Sequence, residues 1–167
     1  MKNNSQKNVV EYWTKMQLDD GYSCPNVSFF RLIGYAGISL KEKKVLEIGF
    51  GANRGKDLLE CLTRGAHVWG VDINKSYVED FQKKNPEISV AVMNAGEDNF
   101  PFPVSYDLIY HRDVIYYLTD NQIKFHFSKS YEKLSDGGYL VFQFIEKDLM
   151  MDEGNENQES RQLNFDI

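Results

Sequence analysis

The residues best suited to chemistry lie between Val45 and Gly55, where an apolar run, Val45-Leu46-Glu47-Ile48, meets Gly49-Phe50-Gly51-Ala52-Asn53-Arg54-Gly55. Glycines at the end of a strand permit positive φ in a tight turn into a helix, and without a Cβ they let a ligand lie against the backbone. A second apolar run, Val68-Trp69-Gly70-Val71, ends in Asp72, about twenty residues further on, where a strand-end carboxylate can accept hydrogen bonds from both hydroxyls of a ribose. A solvated strand-end acid is the plainer reading of Asp72, but it leaves the glycine turn upstream unexplained.

Which ribose-bearing ligand is meant turns on Glu47. A dinucleotide site wants G-x-G-x-x-G, with the pyrophosphate on a helix N-terminus. Here the spacing is G-x-G-x-x-x-G, and Glu47 puts an anion two residues ahead of the first glycine. A carboxylate there repels a pyrophosphate but can hold the ammonium end of an amino-acid ligand, directly or through water. The reading therefore moves from NAD to S-adenosylmethionine. A turn-capping carboxylate is the alternative for Glu47.

Beyond the end of a later apolar run stand His111, Asp113, Tyr116 and Tyr117, where open α/β sheets place their chemistry. Methyl transfer from a sulfonium mainly requires that a lone pair be held against the methyl carbon, and a base is needed only if the nucleophile must lose a proton. His111 can be that base at neutral pH, and Tyr116 and Tyr117 can equally be packed aromatics. Tyr12 and Trp13 are read as a lid over the cofactor, since aromatic faces suit a sulfonium cation; an ordinary amphipathic helix face is the alternative. His67 and His126 are read as structural.

These residues need a scaffold that brings strand ends together. From Lys44 onward, β-rich apolar runs alternate with segments of helical period, which predicts parallel strands joined by crossover helices. Strands are expected at 44–49, 67–72, 88–93, 105–111 and 138–145. A helix over about 54–64 should turn Leu58, Leu59, Cys61 and Leu62 to the sheet and stop at Gly65. A second, about 75–85, carries Val78 and Phe81 inward and stops before Pro86. A third, about 120–134, repeats Ile123, Phe127, Tyr131 and Leu134 on its inner face. Two further helices, about 6–18 and 26–36, precede the first strand.

The chain has 167 residues, 42% hydrophobic and 26% charged, with 19 bases against 25 acids. That is enough for one domain with a sizeable core. Seven of the acids and two of the bases fall between Glu146 and Ile167, so the tail carries −5 of the net −6 and the body only −1. The acidic balance and the lack of a basic groove argue against nucleic acid as a partner. Cys24 and Cys61 are too few for a disulfide framework and suit a reducing compartment, with the cytoplasm as the expectation. No run approaches the roughly 18 apolar residues of a membrane span, and no ligand set for a metal is visible.

At these residues the sequence resembles the class I S-adenosylmethionine-dependent methyltransferases, from about Lys43 to Phe144. Glu47-Ile48-Gly49-Phe50-Gly51 is similar to the family's first motif, which holds the methionine portion, with Asn53 where the family usually has a third glycine. Asp72 falls where the family binds the ribose, and Ile73 beside it against the adenine. The stretch from Asn94 to Pro103 resembles the adenine loop, with Gly96 and Glu97 as neighbours of the base. Residues 106–118 resemble the fourth strand and its active-site edge, where His111 often touches cofactor and many relatives carry His at the position of Tyr117. Leu134-Ser135-Asp136-Gly137-Gly138-Tyr139-Leu140-Val141 resembles the turn into the fifth strand.

The resemblance implies a doubly wound, mostly parallel Rossmann-like α/β sheet of order 3-2-1-4-5, with the family's C-terminal strands 6 and 7 missing. It implies an N-terminal helical lid segment over 1–43, a cofactor-binding core over 44–147 and an acidic tail over 148–167. The implied activity is methyl transfer from S-adenosylmethionine, leaving S-adenosylhomocysteine, to an oxygen or nitrogen of a small molecule. Implied catalytic residues are His111, Asp113 and Tyr117; implied cofactor ligands are Tyr12, Glu47, Gly49, Gly51, Asn53, Asp72, Ile73, Gly96, Glu97 and His111. The rival is a non-catalytic domain that binds the cofactor or its demethylated product as a regulatory subunit. With only about twenty residues after the fifth strand, the expectation is either a shortened chain or a minimal form completed by a second copy or a partner chain.

Overall fold

The structure, a computed structural model, describes residues 11–13 and 24–143, the side chains of Ala52 and Asn53 excepted. The expected helix over 6–18 falls mostly outside these residues, though 11–13 are helical, and so does the acidic tail. The described elements run α1 (Val27–Tyr35), β1 (Lys44–Ile48), a 3₁₀ turn (Phe50–Asn53), α2 (Lys56–Thr63), β2 (His67–Asp72), α3 (Lys75–Lys84), β3 (Ser89–Val92), β4 (Tyr106–Arg112), a second 3₁₀ turn (Ile115–Tyr117), α4 (Asp120–Lys133) and β5 (Leu134–Gln143).

The five strands form one sheet in the order β3-β2-β1-β4-β5, every neighbouring pair parallel, as the sequence predicts. Parallel strands bury both faces, and β1 shows it by alternation. Val45 points with Val68 and Leu108 into the layer formed by Phe29 and Ile33 of α1, Leu58 and Cys61 of α2, and Val78 and Phe81 of α3. Leu46 and Ile48 point the other way, beside Val71, Met93 and Ile109. Leu46, Val71 and Ile109 are fully enclosed, and burying a side chain of this size stabilises by roughly 1.5–3 kcal/mol.

The helices begin where the sequence supplies caps. Asn26 accepts from the Phe29 amide, and Asn74 from the amides of Ser76 and Tyr77. At α4, Thr119 and Gln122 close a reciprocal capping box. α2 ends before Gly65, whose φ of +87° only glycine adopts easily.

Three expectations are corrected. Leu62 is 40% exposed and Tyr131 81% exposed, so neither faces the sheet. The buried face of α4 keeps Ile123, as expected, and adds His126 and Ser130. β5 starts at Leu134, pairing there with Tyr106 ahead of the turn at Gly137, so this strand opens four residues earlier than its apolar run.

Candidate functional site

The glycine turn takes a path that side chains would block. Gly49 has φ +80° and donates its amide to the Val71 carbonyl at 2.7 Å; Arg54 and Gly55 are also left-handed, at +58° and +68°. Between them, the Gly51 amide donates to Asp72 Oδ2 at 2.8 Å. A Cβ on Gly51 would sit 2.1 Å from Tyr77 Cδ2 and 2.8 Å from that carboxylate oxygen. Asn53 closes the 3₁₀ turn.

Asp72 lies at the tip of β2, 7% exposed. Its Oδ1 accepts from the Asn74 amide at 2.7 Å. Burial pushes its pKa up, and the amides of Asn74, Gly51 and Ile73 oppose that by holding the charged form. Three amides on about four lone-pair directions leave part of the carboxylate's accepting capacity free, a place for a ribose hydroxyl. Ile73 follows it, half-buried.

Glu47 occupies β1 opposite Gly70 and Tyr110. It is 3% exposed, and its Oε2 is buried with no hydrogen-bond partner among the described residues. Burial, reinforced by the charge of Asp57, pushes its pKa up to about 8; the Tyr110 hydroxyl and Arg112 pull the other way. Asp57, wholly buried in the first turn of α2, pairs with Arg112 at 3.3 Å and accepts from the Asn26 amide. An orphaned carboxylate oxygen beside a glycine turn suits an ammonium group: the residues present fit the amino-acid end of S-adenosylmethionine as they fit its ribose.

The loop after β3 folds on itself. The Asn94 amide donates to Asp98 Oδ2 at 2.7 Å and the Gly96 amide to Asn94 Oδ1 at 3.1 Å. Gly96 is buried against the Gln122 side chain, whose carbons would lie 2.9 Å from an added Cβ. Gln122 Nε2 donates to Glu97 Oε1 at 3.3 Å. Gln122 thus starts α4 and braces this loop, a double role the sequence did not reveal because a capping-box glutamine looks purely local.

Across β4, Asp113 is half-buried with φ +55°, held by its amide to the Gln143 carbonyl at 3.0 Å. Its Oδ1 is buried without a hydrogen-bond partner among the described residues. Tyr116 and Tyr117 follow, each 36% exposed. Burial first and then the charge of Asp113 raise both phenols, Tyr116 to about 12. Trp13 meets Tyr117 edge-on at 5.0 Å and Tyr12 at 5.2 Å, while its carbonyl accepts from Asn74 Nδ2. The aromatic residues before β1 therefore reach over from the Asp72 side to the Asp113 side.

His111 is not grouped with these residues. It is 1% exposed, on the opposite face of β4 from Tyr110, stacked on Phe142 at 5.6 Å and 5.0 Å from the ring of His126. Burial, and then the charge of His126, pulls its pKa down to about 3. Among the described residues no group of three or more His, Cys, Asp or Glu could hold a metal ion, and no helix is long and apolar enough to cross a membrane.

A sheet of this order with a glycine turn after β1 and an acid at the tip of β2 is the architecture of an S-adenosylmethionine-dependent methyltransferase. The methyltransferase-domain family model matches residues 45–138, more than half of the chain, and the chain belongs to that family. No curated protein matches the sequence. Similar solved structures include an S-adenosylmethionine-dependent methyltransferase from Mesorhizobium loti (20% identity over 70% of this chain and 53% of that one, TM-score 0.60). Another is an S-adenosylmethionine-dependent methyltransferase from Leishmania major (19% identity, 83% of this chain and 60% of that one, TM-score 0.63). A third is phosphoethanolamine N-methyltransferase 1 from Haemonchus contortus in complex with phosphoethanolamine and S-adenosylhomocysteine (20% identity, 83% of this chain and 31% of that one, TM-score 0.60). The likeness is one of fold, and the chain spans 53%, 60% and 31% of the lengths of these three.

Proposed function

We propose that the chain binds S-adenosylmethionine across the ends of β1, β2 and β3 and that a methyl group passes from it to an oxygen or nitrogen of a small-molecule acceptor. The observation that carries this is the Gly51–Asp72 junction: a buried carboxylate at the tip of β2 latched to a glycine amide of the turn after β1. In this reading Asp72 accepts from the ribose hydroxyls, and Gly49, Gly51 and Asn53 supply the close-lying backbone. Ile73, Gly96 and Glu97 border the base, and Glu47 holds the ammonium group. When bound, the cofactor supplies an electrophilic methyl on a sulfonium.

The chain's own contribution is placement. Tyr12 and Trp13 cover the site from the 1–43 segment and exclude water, while Asp113 and Tyr117 face the acceptor. A neutral imidazole whose conjugate acid titrates near 3 is a poor base at pH 7, so His111 acts through packing, and rate comes from holding the reactants in line. Support for a nitrogen acceptor comes from the Haemonchus contortus neighbour, an N-methyltransferase by name. The two free thiols, Cys24 exposed and Cys61 buried, suit a cytoplasmic setting.

Calorimetry with S-adenosylmethionine and S-adenosylhomocysteine, joined to a turnover assay over oxygen and nitrogen acceptors, tests the proposal. Binding with turnover is the expected result. Absence of binding overturns it, and tight binding without turnover on any acceptor favours a regulatory, non-catalytic domain.

A further inference from the structure

We infer that the acceptor side of the site takes a small cationic amine, its ammonium group lodged between the Asp113 carboxylate and the rings of Trp13, Tyr116 and Tyr117. The inference deepens the proposed function and rests on its placement of the cofactor.

Three observations carry it. The rings stand nearly perpendicular in succession: Tyr12 to Trp13 at 87°, Trp13 to Tyr117 at 77°, Tyr117 to Tyr116 at 83°. Each ring meets the next edge to face, and the ring faces not taken by a neighbour's edge carry the negative quadrupole charge that attracts a compact cation. Asp113 then supplies a counter-charge, with the charge of Arg112 also within its reach. Its Oδ1 is buried without a hydrogen-bond partner among the described residues, and its negative charge reaches both the Tyr116 and Tyr117 phenols. Finally, Asp113 turns left-handed, at φ +55°, at the end of β4, in a region that Asp enters more readily than most residues.

An alcohol or phenol acceptor would leave this carboxylate with a neutral hydroxyl among aromatic walls, whereas an ammonium uses walls and charge together. For transfer, the ammonium first gives one proton to solvent at the exposed edge of Tyr116 and Tyr117. The nitrogen lone pair then forms the N–CH₃ bond as the S–CH₃ bond breaks, and the electron pair of the broken bond stays on sulfur. Positive charge passes from sulfonium to the methylated ammonium, so the rings and Asp113 hold the product cation as they held the reactant.

The test uses the full chain loaded with S-adenosylhomocysteine, titrated with choline and with its uncharged carbon isostere dimethylbutanol. Choline should bind at least about tenfold more tightly. Asp113→Asn, which tolerates the left-handed backbone, and Tyr116→Leu should each cut that preference to about twofold, with S-adenosylhomocysteine affinity retained as the check on folding. Equal binding of the two probes by the unaltered protein overturns the inference and leaves the cofactor reading intact. A change in preference for S-adenosylmethionine over S-adenosylhomocysteine in either variant also overturns it, because the rings would then serve the sulfonium. Failure of the unaltered chain to bind S-adenosylhomocysteine overturns the cofactor reading itself.

Discussion

The amide of Gly51 and the carboxylate of Asp72 meet at 2.8 Å, so the turn after β1 and the tip of β2 are one hydrogen-bonded unit. The contact explains why position 51 admits no side chain: the Cβ would enter both the Tyr77 ring and the acceptor oxygen.

Gly51→Ala should therefore destabilise by about 1–3 kcal/mol, the cost of overpacking, and weaken S-adenosylhomocysteine binding at least about tenfold. Asp72→Asn keeps the shape and removes the charge, and hydrogen bonds to a charged group are worth about 1.5–3 kcal/mol, so affinity should fall by about tenfold to a hundredfold. Gly34 supplies the contrast: it lies in α1 with open space where a Cβ would go, so Gly34→Ala should gain roughly 0.5–1 kcal/mol. Thermal melts and calorimetric titrations measure all three.

With Glu47 holding the ammonium group as proposed, cofactor binding should be a proton-linked event. The Glu47 pKa is pushed up to about 8, so at pH 7 it is mostly protonated. An ammonium group favours the charged form, and binding must expel the proton. Affinity should rise with pH from about 6 towards 8, by at most tenfold per unit, and level off above about 8. Calorimetry in buffers of different ionisation enthalpy should show close to one proton released at pH 7, and Glu47→Gln should abolish the release.

The Asp57–Arg112 pair controls the same group from behind. Asp57→Asn removes the negative charge that helps hold Glu47 up, so the midpoint of the affinity rise should move to lower pH. Arg112→Met strips the counter-charge from a wholly buried acid. It should cost about 2–3 kcal/mol, below the 3–5 of a fully buried pair because Arg112 keeps some contact with water. Denaturant melts of the two variants, with the binding pH profile of Asp57→Asn, check these outcomes.

The parallel strands and the glycine turn were legible because each is written in contiguous residues, an apolar run, a turn and an acid at strand spacing, while the sheet order was implied by the family resemblance those residues carry. Asp57–Arg112 and Gln122–Glu97 were not, since each joins side chains that only the folded sheet brings together. α4 was legible in part, for a different reason. Apolar periodicity points to Ile123 and Phe127, which do pack inward, and to Tyr131, which does not; His126 and Ser130 were missed because a buried imidazole and hydroxyl carry no hydrophobic signal. The same holds for His111: its position at a strand end was visible, but the packing against Phe142 and His126 that encloses it was not.

The two enclosed histidines should make the fold acid-labile. Burial pulls His111 to about 3 and His126 to about 4 from an ordinary value of 6.5. The unfolded chain thus binds more protons than the folded one between those values and about 6.5. Stability is full above about 6.5 and falls as pH drops, by up to about 1.4 kcal/mol per pH unit for each histidine. His126→Phe should flatten that slope in urea melts between pH 4 and 6.5, in keeping with the depressed values.

Gln122 closes the capping box of α4 with one end of its amide and grips Glu97 with the other. The first turn of α4 and the loop after β3 should consequently open as one cooperative unit in hydrogen exchange. Under the proposed function, protection of the Ile123 amide, bonded to the Thr119 carbonyl at 2.8 Å, should then be a remote reporter of whether adenine is seated on the loop.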